Sequence, residues 1–124
     1  MYYDRLIGLP YKSNGRTLEG VDCWGLVYLF HGGKIPSYVD TYTDAEDGGQ
    51  ISSSILTNKK EWEKVETPGY GDVVVINIKG LPVHCGIYLD NNRILHTLAG
   101  HDSVVESLNS PKWASRIEGY YRWS

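Results

Sequence analysis

Two histidines, His84 and His96, flank a single bend, Asp90-Asn91-Asn92, within the short, partly apolar runs Val83 to Leu89 and Arg93 to Leu98. Runs of this kind around an Asp/Asn cluster read as a β-hairpin. Side chains alternate faces along a strand, so the size of the loop decides whether the two rings meet. A two-residue loop at Asn91-Asn92 would place residue 87 opposite residue 96 and send the rings to opposite sides. A three-residue loop pairs Leu89 with Arg93, sets Gly86 opposite His96, and leaves His84 diagonal to His96 on one face. That diagonal spans about 7–8 Å, close enough for two leaning rings. Asn tolerates the left-handed conformation such a bend needs, so the sequence predicts the three-residue form, or an equivalent bulge, with Asn92 at positive φ.

A third reactive residue opens a helix. Asp22 suits the N-cap, where its carboxylate accepts first-turn N–H groups. Cys23 then takes the first helical position. Cys23, Leu26, Val27 and Phe30 follow the i, i+3, i+4, i+7 spacing of one helical face, and Gly32-Gly33 supplies the stop. The cysteine therefore lies at the tip of the stripe that packs inward. The helix N-terminus and a nearby imidazolium would lower a thiol pKa, whereas the Asp22 charge would raise it, so activation calls for a histidine partner. A second histidine would fix the tautomer of the first. Strand alternation turns Cys85 away from His84, which reads it as a small buried hydrophobe facing the opposite layer and argues against a Cys23–Cys85 disulfide.

The remaining pattern is α+β. Tyr2 to Gly8 reads as a helical turn or two, Tyr38 to Gly49 as a long polar loop, and Ile51 to Asn58 as a helix. Glu61 to Glu66 carries only a weak strand signal. Asp72 to Ile78, Ser103 to Leu108 and Ile117 to Trp123 read as strands. With 124 residues and 41% apolar content the chain reads as one domain, 1–124. Its net charge of −3, without a basic stripe, argues against nucleic acid as a partner. Two widely spaced cysteines suggest neither a disulfide framework nor a metal knuckle, and no cofactor is expected. The start, Met1-Tyr2-Tyr3-Asp4-Arg5, lacks a signal-peptide pattern, and no run approaches membrane-spanning length. The expectation is a chain that stays in the cytoplasm as synthesised, without membrane insertion, or leaves inside a larger particle.

Gly8-Leu9-Pro10-Tyr11, Val21-Asp22-Cys23-Trp24-Gly25-Leu26-Val27, Pro68-Gly69-Tyr70-Gly71-Asp72-Val73-Val74 and His84-Cys85-Gly86-Ile87-Tyr88-Leu89 through His96 resemble the NlpC-type papain-like cysteine peptidases in order and spacing. The resemblance implies a helix bearing the nucleophile packed on a central antiparallel sheet. It implies Cys23 as nucleophile, His84 as base and then acid, and His96 as the orienting member. Tyr11 would join the Cys23 N–H in holding the oxyanion. The implied substrate is the peptidoglycan stem peptide, cut at the γ-linked bond between D-glutamate and a diamino acid. Trp24 replaces the serine found in most cell-wall members, and is read as a wall of the substrate pocket. That aromatic, with Lys12-Ser13-Asn14-Gly15 in place of a loop rich in paired glycines, looks more like the phage tail-tip and prophage members. Other tail-tip proteins would then be partners and the virion tail tip a destination.

Each residue also has a plainer reading. A cysteine at a helix start is usually just buried, lone histidines are usually structural, and the pair with Cys23 could form a weak metal site. Asp72 reads as a turn cap, and His31 and His101 as surface or terminus-capping residues. Rival functions are an amidase or acyltransferase using the same three residues, and a non-catalytic tail-tip or wall-binding module. Iodoacetamide labelling at mildly acidic pH separates the last from the rest.

Overall fold

A computed structural model describes residues 3–39 and 61–123. The readings of a loop and a helix between Asp40 and Lys60 lie outside the described residues. A single 3-10 turn, Asp4–Leu6, stands where one or two helical turns are expected. A two-stranded hairpin follows, β1 (Arg16–Thr17) and β2 (Gly20–Val21). The helix α1 runs from Cys23 to Phe30. Six strands complete the described order: β3 (Trp62–Val65), β4 (Val73–Ile78), β5 (Leu81–Tyr88), β6 (Arg93–His96), β7 (Val104–Ser107) and β8 (Ile117–Trp123). They form one antiparallel sheet in the order β3-β8-β4-β5-β6-β7. The weak Glu61 to Glu66 signal is thus a true edge strand, secured by Trp62 against Trp123 at 5.0 Å between rings.

The sheet carries apolar side chains on both faces, which is why β4 reads as a continuous hydrophobic run. Val73, Val75, Cys85, Ile87 and Leu95 pack with Leu26, Val27 and Phe30 of α1. Val74, Ile76 and Ile94 face the other way and pack against Leu108 and Trp113. Burying each large side chain of α1 contributes about 1.5–3 kcal/mol, so docking on the sheet holds a helix of eight residues that would not persist alone. Its end is as expected: the N–H groups of Gly32 and Gly33 return to the carbonyls of Leu29 and Tyr28.

The bend between β5 and β6 has the odd size read from the sequence. Ile87 pairs with Leu95 and Tyr88 with Ile94, which continues to Leu89 opposite Arg93 and Gly86 opposite His96. Arg93 N–H donates to the Asp90 carbonyl while Leu89 N–H donates to the Arg93 carbonyl. Two residues thus oppose one, a bulge, with Asn91 and Asn92 both left-handed (φ 49° and 59°). Farther back, among the described residues, the N-terminal part of β5 has no ladder pairing with β6.

Candidate active site

Asp22 is the N-cap of α1 and is fully buried. Its carboxylate accepts the Gly25 N–H at 2.7 Å and the Asn14 N–H at 2.8 Å, and pairs with Arg16 Nη1 at 3.0 Å. Arg16 donates in turn to the carbonyls of Gly15 and Ser37, at 2.9 and 2.8 Å. The negative charge beneath the cysteine is therefore matched by a fixed guanidinium, a feature the sequence did not disclose. Gly25 is needed here because a Cβ would collide with the Gly15 carbonyl oxygen, so the helix N-terminus sits directly on the β1 hairpin.

Cys23 begins the helix, 7% exposed. Its pKa is lowered to about 5: a hydrogen bond from the Cys85 thiol contributes most, and burial opposes it. His84 adds a hydrogen bond and its positive charge, and Asp22 pulls weakly the other way. Cys85 is pushed well up because it donates its hydrogen to the Cys23 sulfur and is itself buried. The reading of Cys85 as remote from the site is thereby corrected. It does turn away from His84, but the layer it faces is the helix layer, which carries Cys23. Both cysteines are free thiols.

His84 and His96 meet on the other side of that alternation. His84 Nε2 and His96 Nδ1 are 2.8 Å apart, with ring centroids 5.0 Å apart. Both are buried, at 3% and 1% exposure. Trp113 stacks on His84 at 5.9 Å and meets His96 edge-on at 5.1 Å. His84 therefore shares a face with Trp113, and its ring still contributes a hydrogen bond and a charge to Cys23. Gly86 lets β5 and β6 come this close at the histidine pair, since a Cβ there would stand 2.8 Å from His96 Cβ and 2.6 Å from Ile94 Cδ1.

The chain of contacts extends to a residue the sequence reading missed. His96 Nε2 lies 2.5 Å from Glu106 Oε2, and the Trp113 indole donates to the same oxygen at 3.1 Å. Register explains it: Glu106 pairs with Ile94 and Val104 with His96, so Glu106 is diagonal to His96 on one face. Alternation within Val104–Ser107 was the available signal, but it required the β6–β7 pairing to be read. Burial, and then the His84 charge, lower the His96 pKa to about 4, against the raising effect of Glu106. Burial alone would raise Glu106, but the hydrogen bond and charge of His96, with Trp113 and Lys112, bring it below the usual range.

Other readings are corrected or placed. Trp24 is not a pocket wall. It is fully buried, donates to the Pro36 carbonyl at 2.8 Å, and packs against Tyr38 and Trp62 at 5.2 and 5.7 Å. One residue further along a helix is about 100° round its axis, which turns Trp24 away from Cys23 and into the core. Tyr11 bridges Val21 and packs against the helix-side cluster, near the cysteine in the fold. Asp72 accepts the Gly69 N–H at 2.7 Å, as a turn cap should, and also binds Arg122 through two hydrogen bonds of 2.9 and 2.7 Å. His31 follows the helix end and reaches the Gly71 carbonyl at 2.8 Å, whereas His101 is exposed. Among the described residues no group of three or more His, Cys, Asp and Glu is arranged to hold a metal, and no helix is long and apolar enough to cross a membrane.

The NlpC/P60 family model matches residues 8–122. A probable peptidoglycan endopeptidase, LytE of Bacillus subtilis, is 35% identical over 120 residues, which are 95% of this chain and 31% of that protein. The murein DD-endopeptidase MepS/murein LD-carboxypeptidase of Escherichia coli is 29% identical over 113 residues, 88% of this chain and 53% of the relative. The chain thus spans about a third to a half of these curated relatives. Among solved structures, an NlpC/P60 family protein from Bacillus cereus superposes with a TM-score of 0.70 at 22% identity, covering 95% of this chain and 36% of the other. The NlpC/p60 domain of the peptidoglycan hydrolase SagA gives 0.62 at 21% identity, covering 98% and 92%.

Proposed function

Because the chain belongs to the NlpC/P60 family, we propose that it is a cysteine endopeptidase acting on peptidoglycan stem peptides. The observation that carries this reading is the 2.8 Å contact between the buried His84 and His96 rings; the Cys85 hydrogen bond and the His84 charge lower the Cys23 thiol to about 5 in support of it. A thiolate at neutral pH is the nucleophile that peptide cleavage needs. In the proposed reaction the Cys23 sulfur adds to the amide carbon. The Cys23 backbone N–H, a first-turn donor without an intrahelical partner, faces the developing oxyanion together with the Tyr11 hydroxyl. His84 gives its proton to the leaving amine from Nδ1, the nitrogen not engaged by His96, and water then releases the acyl group. Acid–base help of this kind contributes about 10²–10⁴-fold.

The bond proposed is the γ-linkage from D-glutamate to the diamino acid, and the setting is local opening of the wall by a phage tail; family resemblance supports both. Defined muropeptides incubated with wild type and with Cys23→Ala test the reading, with products weighed by mass spectrometry. A freed diamino acid amine is expected from wild type alone. A freed lactyl acid would indicate an amidase, and equal turnover by the variant would remove Cys23 from the chemistry.

A further inference from the structure

Beyond the three residues of the proposed site, Glu106 occupies the far end of an unbroken line of contacts: Glu106 Oε2 to His96 Nε2, then His96 Nδ1 to His84 Nε2. We propose that Glu106 is a positioning residue that locks the tautomers of both histidines, so that His84 always presents Nδ1 to the cysteine. This rests on the cysteine-peptidase reading of the same site. Donors and acceptors along the line permit one arrangement. An ionised carboxylate only accepts, so His96 must carry its hydrogen on Nε2. A neutral His96 then has a lone pair on Nδ1, which accepts from His84 Nε2–H. His84 Nδ1 is left to take the Cys23 proton, giving a thiolate and an imidazolium whose two N–H groups both have acceptors.

The surroundings suit that role. The Trp113 indole donates to the same Glu106 oxygen that His96 reaches, and its ring packs on both imidazoles. The carboxylate is thus held in place, and only an acceptor is tolerated there. The charged and titratable groups around the line are Cys23 and Asp22 at the helix start, Cys85 on β5, Lys112, which acts on Glu106 and His96, and His101 and Asp102, which share the cavity beside Glu106. The Glu106 side chain is 35% exposed and lines a cavity of about 380 Å³ with His96, Thr97, His101 and Lys112. It therefore remains hydrated and ionised while the imidazoles it orders are buried.

Glu106→Gln and Glu106→Ala separate this role from simple packing. The glutamine oxygen can accept from both His96 and Trp113, whereas alanine removes the acceptor. The pH profile of iodoacetamide alkylation, without substrate and corrected with Cys23→Ala, should move up by a pH unit or more in Glu106→Ala and stay near wild type in Glu106→Gln. In kcat/KM, Glu106→Ala should lose about 10- to 100-fold, part of the acid–base contribution, and Glu106→Gln less than about threefold. An unchanged Glu106→Ala, or a Glu106→Gln as impaired as Glu106→Ala, overturns the proposal. Nitrogen-15 NMR of histidine-labelled wild type decides it even if variants misfold: His96 should be the Nε2–H tautomer, and the Nδ1–H form refutes the lock. Wild type inert on every muropeptide would defeat the endopeptidase reading while leaving these two readouts to judge Glu106.

Discussion

Gly86→Ala should cripple the site without replacing any of its functional side chains. The added methyl would lie 2.8 Å from His96 Cβ and 2.6 and 2.8 Å from Ile94 Cδ1 and Cγ1. Ordinary carbon–carbon contact is about 3.5–4.0 Å, so β5 and β6 must separate by roughly 1 Å at this point. His96 Cβ is fixed to the main chain and cannot swing aside, so the strand itself moves. The His84–His96 contact, now 2.8 Å, would stretch past the roughly 3.2 Å limit of a good hydrogen bond. A misplacement of about 1 Å can cost on the order of 10²-fold in rate, and overpacking of this kind about 1–3 kcal/mol in stability. For a domain of this size each kcal/mol lowers Tm by about 4 °C. Muropeptide kinetics well below the variant's Tm, with thermal unfolding alongside, keep the two effects apart. A soluble, folded Gly86→Ala that retains kcat/KM within threefold would refute the claim that this strand spacing sets the histidine pair.

Trp24→Phe, which loses the bond to Pro36 and part of the packing on Trp62, should lower Tm while leaving KM unchanged, and Trp24→Ala should cost about 3–5 kcal/mol. A raised KM in a stable Trp24→Phe would return Trp24 to the substrate pocket. Stability should also fall with acid. The folded pKa of His96 is depressed to about 4, so its contribution is complete above the unfolded value near 6.5 and is lost as pH falls towards 4, by about 3 kcal/mol in all. Urea unfolding at steps between pH 7 and 4.5 should show this slope in wild type and a shallower one in His96→Asn. Equal slopes would mean that His96 is not held neutral by burial.

What the sequence disclosed, and what it withheld, divides along physical lines. The bulged bend was legible because strand alternation is strict and asparagine marks the left-handed positions. The helix start was legible from Asp22 and the spacing of Leu26, Val27 and Phe30. Trp24 was misjudged because accessibility does not pass from one helical residue to the next. Cys85 was misjudged because alternation assigns a residue to a face without saying which face the helix will cover. Glu106, Trp113 and the Arg16–Asp22 pair depend on partners brought together by tertiary pairing, and a single strand or turn carries no trace of them.

The proposed chemistry requires Cys23 to be a thiolate at neutral pH. Its ultraviolet thiolate absorption, taken as wild type minus Cys23→Ala across a pH titration, reads that state. A rise with its midpoint near pH 5 is the predicted result. A midpoint at or above the roughly 8.5 of an ordinary cysteine would contradict it.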